Sequence, residues 1–187
     1  SWETARFFAE KFNIPICETQ AGKGNIRWDL PLNMGGIGVT GGPAANNVAK
    51  QTDLVIAIGT RLTDFTTASK WGFQNPDCKI LSINICSFDA FKMDAVSVVA
   101  DAKMALLDLS AALSQKYYRS GWTDEFATAK AEYVAEMDAC YNAELKEGLS
   151  QTRALGEINK RIAPDAIALG SSGSLPGCMQ RLWRCTQ

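Results

Sequence analysis

The sequence predicts an α/β protein: a parallel sheet covered by helices, then one long helix, then an incomplete second α/β unit. Three observations carry this. Short apolar runs at 53–59, 79–85 and 96–100 alternate with helical or loop stretches over residues 1–118, the pattern of strands joined by crossovers. Large residues then recur mostly four apart from Phe126 to Leu145, inside a helical linker spanning 119–149. Residues 150–187 finally read as helix, short strand, glycine-rich loop and helix, too few elements to complete a sheet.

Each element has a local reason. Ala5, Phe8, Ala9 and Phe12 share one helical face, and Asn13 ends that helix before a short strand at 14–17. A doubly wound domain normally opens on a strand, so a helix in first place reads as a domain cut near its start. Residues 18–42 read as mostly loop. Pro43 suits the first turn of a helix over 43–51, where its missing N–H costs nothing. Asp53–Gly59 reads as a strand covered on both faces. The stretch 60–78 is irregular, with Trp71, Phe73 and Pro76 expected to pack down. Strands follow at 79–85 and 96–100, with one helical turn between Phe88 and Met93. Asp101 is a good N-cap for a helix carrying Leu106, Leu109 and Leu113 and ending near 118. The helix over 122–145, with Phe126, Tyr133, Met137, Tyr141 and Leu145 on its stripe, is expected to lie across a domain surface and to stop by Gly148. A helix over 152–162 stops at Ala163-Pro164, 165–169 reads as a strand, 170–177 as a loop, and 179–184 as the start of a helix.

Composition excludes several functions. The 187 residues are 47% hydrophobic, enough for a packed core. A net charge of −1 provides no field for nucleic acid or an anionic membrane. No apolar run reaches the ~20 residues that cross a bilayer, and the first residues do not form a signal peptide, so a cytoplasmic protein is expected. Six cysteines without a C-x-x-C pair read as reduced thiols and not as a metal site. There is no histidine, which removes histidine-based nucleophile pairs, proton shuttles and metal ligands.

The most distinctive stretch is 34–67. Gly35, Gly36, Gly38, Gly41 and Gly42 fall within eight residues, so that loop is shaped by its backbone. Arg61 and Asp64 stand just past the carboxyl end of the 53–59 strand, where ligands of open α/β sheets sit. Arginine there can fork onto a phosphate and aspartate can hold a ribose hydroxyl; equally, the two can pair with each other. The G-x-G-x-x-G order directly after a strand is absent, so no dinucleotide fingerprint is present. Near the end, Ser171, Ser172, Gly173, Ser174, Leu175, Pro176 and Gly177 bring small residues to a helix start, which suits a phosphate, though one serine as a cap explains it too.

Three stretches, GGIGVTGGPAAN with DLVIAIGTRLTDFTT, ETQAGKG before them and GSSGSLPG near the end, resemble thiamine-diphosphate-dependent enzymes of the acetolactate synthase type. The likeness covers most of the chain in the family's order. It implies a Rossmann-like central domain, a linker, and the start of the cofactor domain, with Gly173–Gly177 near thiamine diphosphate. It also implies Mg²⁺ in the parent enzyme, a small-molecule substrate, a homo-oligomer, and the remaining domains of the same enzyme as partners. Some family members bind FAD or ADP against the central domain, which would use Gly36, Gly38, Gly41, Arg61 and Asp64. Asn84 and Cys86 stand where acetolactate synthases carry an acidic residue, which weighs against FAD or ADP here. The family's activating glutamate and its metal-binding stretch match no residues of this sequence. The chain alone is therefore expected to be inactive, to contribute no catalytic or metal-ligating residue, and to self-associate through exposed sheet edges. A carboligase or decarboxylase piece, and a stand-alone nucleotide-binding module, are the competing readings.

Overall fold

The computed structural model describes residues 2–122 and 124–186; Ser1, Thr123 and Gln187 lie outside the described residues. It is α/β with parallel strands throughout. Helix α1 (Trp2–Phe12) buries Phe8, Ala9 and Phe12, and Asn13 ends it at φ 56°, a left-handed conformation asparagine accepts more readily than most residues. Strand β1 (Ile16–Glu18) pairs in parallel with β2 (Asn33–Gly36). Strand β2 lies inside the stretch expected to be loop. Asn-Met-Gly-Gly has little strand propensity, and pairing with β1 plus burial of all four residues holds it extended.

Helix α2 (Pro43–Gln51) begins on Pro43 as expected. Strands β3 (Leu54–Ile58), β4 (Lys79–Asn84) and β5 (Val96–Val99) form a second parallel sheet in the order β3-β4-β5. The expected burial of β3 on both faces is only partial, with Leu54 45% exposed; β4 is its only paired neighbour among the described strands. Short helices α3 (Asp64–Thr67) and α4 (Ser87–Ala90) and a 3-10 turn at Lys92–Asp94 sit between the strands. Phe73 packs beside Ala57, Leu62 and Ile80, but Trp71 is 73% exposed and does not pack down. Helix α5 (Ala102–Gln115) is capped by Asp101, whose carboxylate accepts from the N–H of Lys103 (2.9 Å) and Met104 (3.1 Å).

Helix α6 (Asp124–Tyr141) is shorter than expected, and Leu145 lies beyond it, exposed. Helix α7 (Gln151–Arg161) is capped by the Ser150 hydroxyl. Helix α8 (Ser174–Leu182) starts five residues earlier than expected. Residues 165–169 do not form a strand: they have no strand partner among the described residues, and Ile167 and Leu169 are 86% and 91% exposed. Apolar sequence alone cannot make a strand whose backbone has nothing to bond.

Two main cores result. One joins α1 and α5 to the β3-β4-β5 sheet through Phe8, Phe12, Ile83 and Leu106. The other brings Met34, Ala45 and Val48 together with Phe126, Tyr133, Met137 and Tyr141 of α6 and Leu182 of α8. The long helix and the last helix are thus packed directly onto β2 and α2.

Candidate functional site

The glycine loop after β2 is filled by the protein itself. A Cβ on Gly36 would lie 2.8 Å from Gln180 Cγ, one on Gly38 (φ 101°) 2.0 Å from the Phe65 carbonyl, and one on Gly41 2.3 Å from the Gly36 carbonyl. Val39 N–H donates to that Phe65 carbonyl at 2.9 Å, and the Asn46 side chain bonds both the N–H and the C=O of Gly38. Gly35 and Gly42 both face the ring of Tyr133. Each glycine admits a specific neighbour, so the loop is a packing junction between β2, α3, α6 and α8.

Arg61 and Asp64 both lie exposed past β3, and no ion pair joins them. The alternative of a mutual salt bridge is therefore not realised. Asn84, at the end of β4, spends its amide on the chain: Nδ2 donates to the Thr60 carbonyl (3.1 Å), and Oδ1 accepts from Cys86 N–H (2.9 Å). Lys92 pairs with Asp89 at 2.6 Å and also donates to the Arg61 carbonyl at 3.4 Å. Asparagine fits this corner because it can donate and accept at once.

Gly173 occupies the N-cap of α8 at φ 97°, and Ser174, Leu175, Pro176 and Gly177 form its first turn. The expected loop is thus mostly helix. No side chain caps it, because the N-cap glycine has none to offer, and Ser174 Oγ, already inside the helix, bonds Gln151 Oε1 at 3.3 Å. The N–H groups of Ser174 and Leu175 therefore meet no side-chain acceptor, and a Cβ on Gly173 would meet nothing within 4 Å. An open helix N-terminus with small neighbours has the donor set a diphosphate needs. A cleft of about 520 Å³ lies alongside, lined among others by Lys23, Asn159, Pro164, Gly170 and Pro176.

Several buried polar groups escaped the sequence reading. Glu18, 4% exposed, gathers the 19–32 loop: Oε1 accepts from Gly24 N–H (3.0 Å) and Ile26 N–H (3.3 Å), and Oε2 accepts from Asn33 Nδ2 (3.2 Å) and faces Lys23 Nζ (3.6 Å). Lys130 reaches from α6 to the carbonyls of Trp28 and Asn33, the latter at 2.7 Å. Burial, then the nearby Lys23 charge, pull its amine down to about 8. Tyr133 donates to the Arg181 carbonyl at 2.5 Å, and burial, with Glu18 adding to it, raises its phenol. Burial first, then Glu18, push the Cys17 thiol up to about 12. Only the four-residue spacing of Tyr133, Met137 and Tyr141 signalled any of these, and it signalled packing. Among the described residues no cluster of carboxylates and thiols is arranged to hold a metal ion, and the six cysteines are free thiols.

A parallel α/β unit with a self-filled glycine loop, bound to an open-ended helix start, defines the class. Residues 1–109 match the family described as thiamine pyrophosphate enzyme, central domain, and the chain belongs to that family. Among curated relatives, 3D-(3,5/4)-trihydroxycyclohexane-1,2-dione hydrolase of Clostridium tetani (strain Massachusetts / E88) is 45% identical, over 97% of this chain and 32% of its own length. The protein of the same name from Bacillus anthracis (strain CDC 684 / NRRL 3495) is 46% identical over the same shares. That of Clostridium perfringens (strain 13 / Type A) is 45% identical over 94% and 31%. The chain spans about a third of the length of the curated relatives it matches.

Proposed function

We propose that this chain is the central α/β domain (1–118), helical linker (119–149) and first cofactor-domain unit (150–187) of a thiamine-diphosphate-dependent hydrolase. The reaction is hydrolytic ring opening of 3D-(3,5/4)-trihydroxycyclohexane-1,2-dione to 5-deoxyglucuronate, in myo-inositol degradation. The observation that carries this is identity near 45% to hydrolases of that name over 97% of this chain, an alignment that extends beyond the central domain.

In this reading Gly173–Gly177 would lie beside the diphosphate, and the open N–H groups of Ser174 and Leu175 would be donors to hold it. Thiamine diphosphate, when bound, supplies the nucleophilic carbon and electron sink for C–C cleavage. Mg²⁺ accompanies the diphosphate in this reading and would be held by the remaining part of the cofactor domain. The chain positions the loop and keeps water from the joint beneath it, while the remaining domains, in a homo-oligomer, bring the reacting groups. A cytoplasmic location accompanies this reading, supported by six free thiols. Among the described residues no helix is long and apolar enough to cross a membrane.

The test is turnover by the longer polypeptide carrying this segment, supplied with thiamine diphosphate and Mg²⁺. Conversion of the dione supports the hydrolase. Acetolactate from pyruvate, with the dione untouched, replaces it with a carboligase. Turnover by the 187-residue chain alone contradicts its role as a part.

One observation favours a second reading, a nucleotide at Arg61 and Asp64: Arg61 is exposed and forms no ion pair with a carboxylate among the described residues. A thermal-shift titration with ADP and FAD tests it. At a hundredfold excess over Kd a ligand adds about 2.7 kcal/mol, several degrees of melting temperature. No shift with either nucleotide excludes that site.

A further inference from the structure

The amide of Gln180 joins the two stretches that sequence reading treated as separate sites. Gln180 lies on α8, three residues beyond Gly177, and is 3% exposed. Its Nε2 donates to the Ile37 carbonyl at 3.0 Å, and its Oε1 accepts from the Thr40 hydroxyl at 2.5 Å. Both partners belong to the glycine loop. The fit is close on each side: a Cβ at Gly36 would strike Gln180, and a Cβ at Gly177 would lie 3.0 Å from Thr40 Cγ2. A second observation is independent of these contacts. The first turn of α8 has no side-chain cap, and the other side-chain bonds of this end, from Ser174 and Cys178, run to Gln151 of α7 and not to the glycine loop.

We propose that Gln180 is a positioning residue: it latches α8 to the glycine loop and so holds the Gly173–Gly177 segment in place. A buried primary amide suits the task because it satisfies a carbonyl and a hydroxyl in fixed relative orientation. Removing it leaves the Ile37 carbonyl and the Thr40 hydroxyl to find other partners in a mostly buried joint. The latch also makes the central domain's loop conformation a determinant of the cofactor-side segment. That functional meaning rests on the reading of Gly173–Gly177 given above; the latch itself does not.

Amide hydrogen exchange on the 187-residue chain tests the latch. Gln180→Met, close in length and without hydrogen bonds, is expected to speed exchange at Gly177 and Cys178 about tenfold, with strands β3, β4 and β5 unchanged. Leu106→Val, in the other core, is the control for general destabilisation and leaves Gly177 and Cys178 at their original rates relative to the sheet. Thr40→Val gives a smaller acceleration at the same amides, while Thr40→Ser, which keeps the hydroxyl, restores the original rates. Unchanged exchange in both Gln180→Met and Thr40→Val overturns the latch, as does an acceleration that Leu106→Val reproduces. If Gln180→Met does not fold, the Thr40 pair decides alone. In the longer enzyme the half-saturating thiamine diphosphate concentration is expected to rise about tenfold in Gln180→Met, with kcat at saturating cofactor within twofold. Loosened amides with unchanged cofactor affinity keep the latch and overturn the placement of Gly173–Gly177 beside the cofactor.

Discussion

Gly38 and Gly59 both have positive φ, at 101° and 61°, yet they answer to different constraints. A methyl at Gly38 meets the Phe65 carbonyl, whereas one at Gly59 meets nothing within 4 Å. Gly59→Ala should therefore cost only the left-handed conformation, about 1 kcal/mol. Gly38→Ala adds a backbone collision and should cost about 3 kcal/mol or more; paired thermal melts compare them. Two titrating groups act in opposite directions. The Cys17 thiol, ordinarily at 9.0, is raised to about 12, so its contribution is complete below pH 9 and is lost as pH climbs toward 12. The Lys130 amine falls from 10.5 to about 8. Between pH 8 and 10.5 the unfolded chain holds that proton and the folded chain does not, so this group's contribution rises with pH. Relative to the original chain, the urea midpoint of Cys17→Ala should gain between pH 9 and 11. That of Lys130→Met should lose between pH 8 and 10. The sequence showed these positions as one cysteine among six and one lysine on a polar face, because burial from distant segments is not a local property.

The elements with strong local signals are those the sequence identified. α1, α2 and α5 have a periodic apolar face, a proline at the first turn or an acidic cap, and they occur where these signals place them. β2 and the 165–169 segment show the converse. Asn33–Gly36 has poor strand propensity and becomes a strand because β1 lies beside it, while Asp165–Leu169 is mostly apolar and stays unpaired. Helix α6 joins local and tertiary information. Its stripe is legible, but its partner is not: Tyr133 fits against Gly35 and Gly42, and its hydroxyl is anchored on α8. Gly42 has an ordinary φ of −86°, so only the ring limits it. Gly42→Ala should cost about 1 kcal/mol in the original chain and close to nothing alongside Tyr133→Ala, which itself costs about 3–5 kcal/mol. A double-mutant cycle by urea denaturation measures the coupling; simple additivity contradicts the fit.

At the scale of the whole molecule, three parallel strands and a separate parallel pair share the work of one sheet, and β3 carries exposed apolar surface at Leu54. Ile167 and Leu169 add two nearly bare aliphatic side chains on a segment without regular structure. Clustered exposed aliphatics favour association. The double substitution Ile167→Lys with Leu169→Lys should reduce concentration-dependent association in sedimentation velocity. It should leave the melting temperature within about 2 °C, since neither side chain contributes to a core. An unchanged sedimentation profile locates the association at another surface.

The amino-acid pattern by itself determined the α/β class, most helices, the three strands of the larger sheet and, through three glycine-rich stretches, the family. Those signals lie in hydrophobic period, cap residues and backbone-permissive glycines, all readable within a few neighbouring positions. Only the tertiary structure decided that the glycine loop is occupied by Tyr133, Gln180 and the Phe65 carbonyl, that Arg61 and Asp64 do not pair, and that α8 opens without a cap. These depend on contacts between residues as far apart as Ile37 and Gln180. Close packing and buried hydrogen bonds settle such contacts, and they exist only once the elements have been brought together.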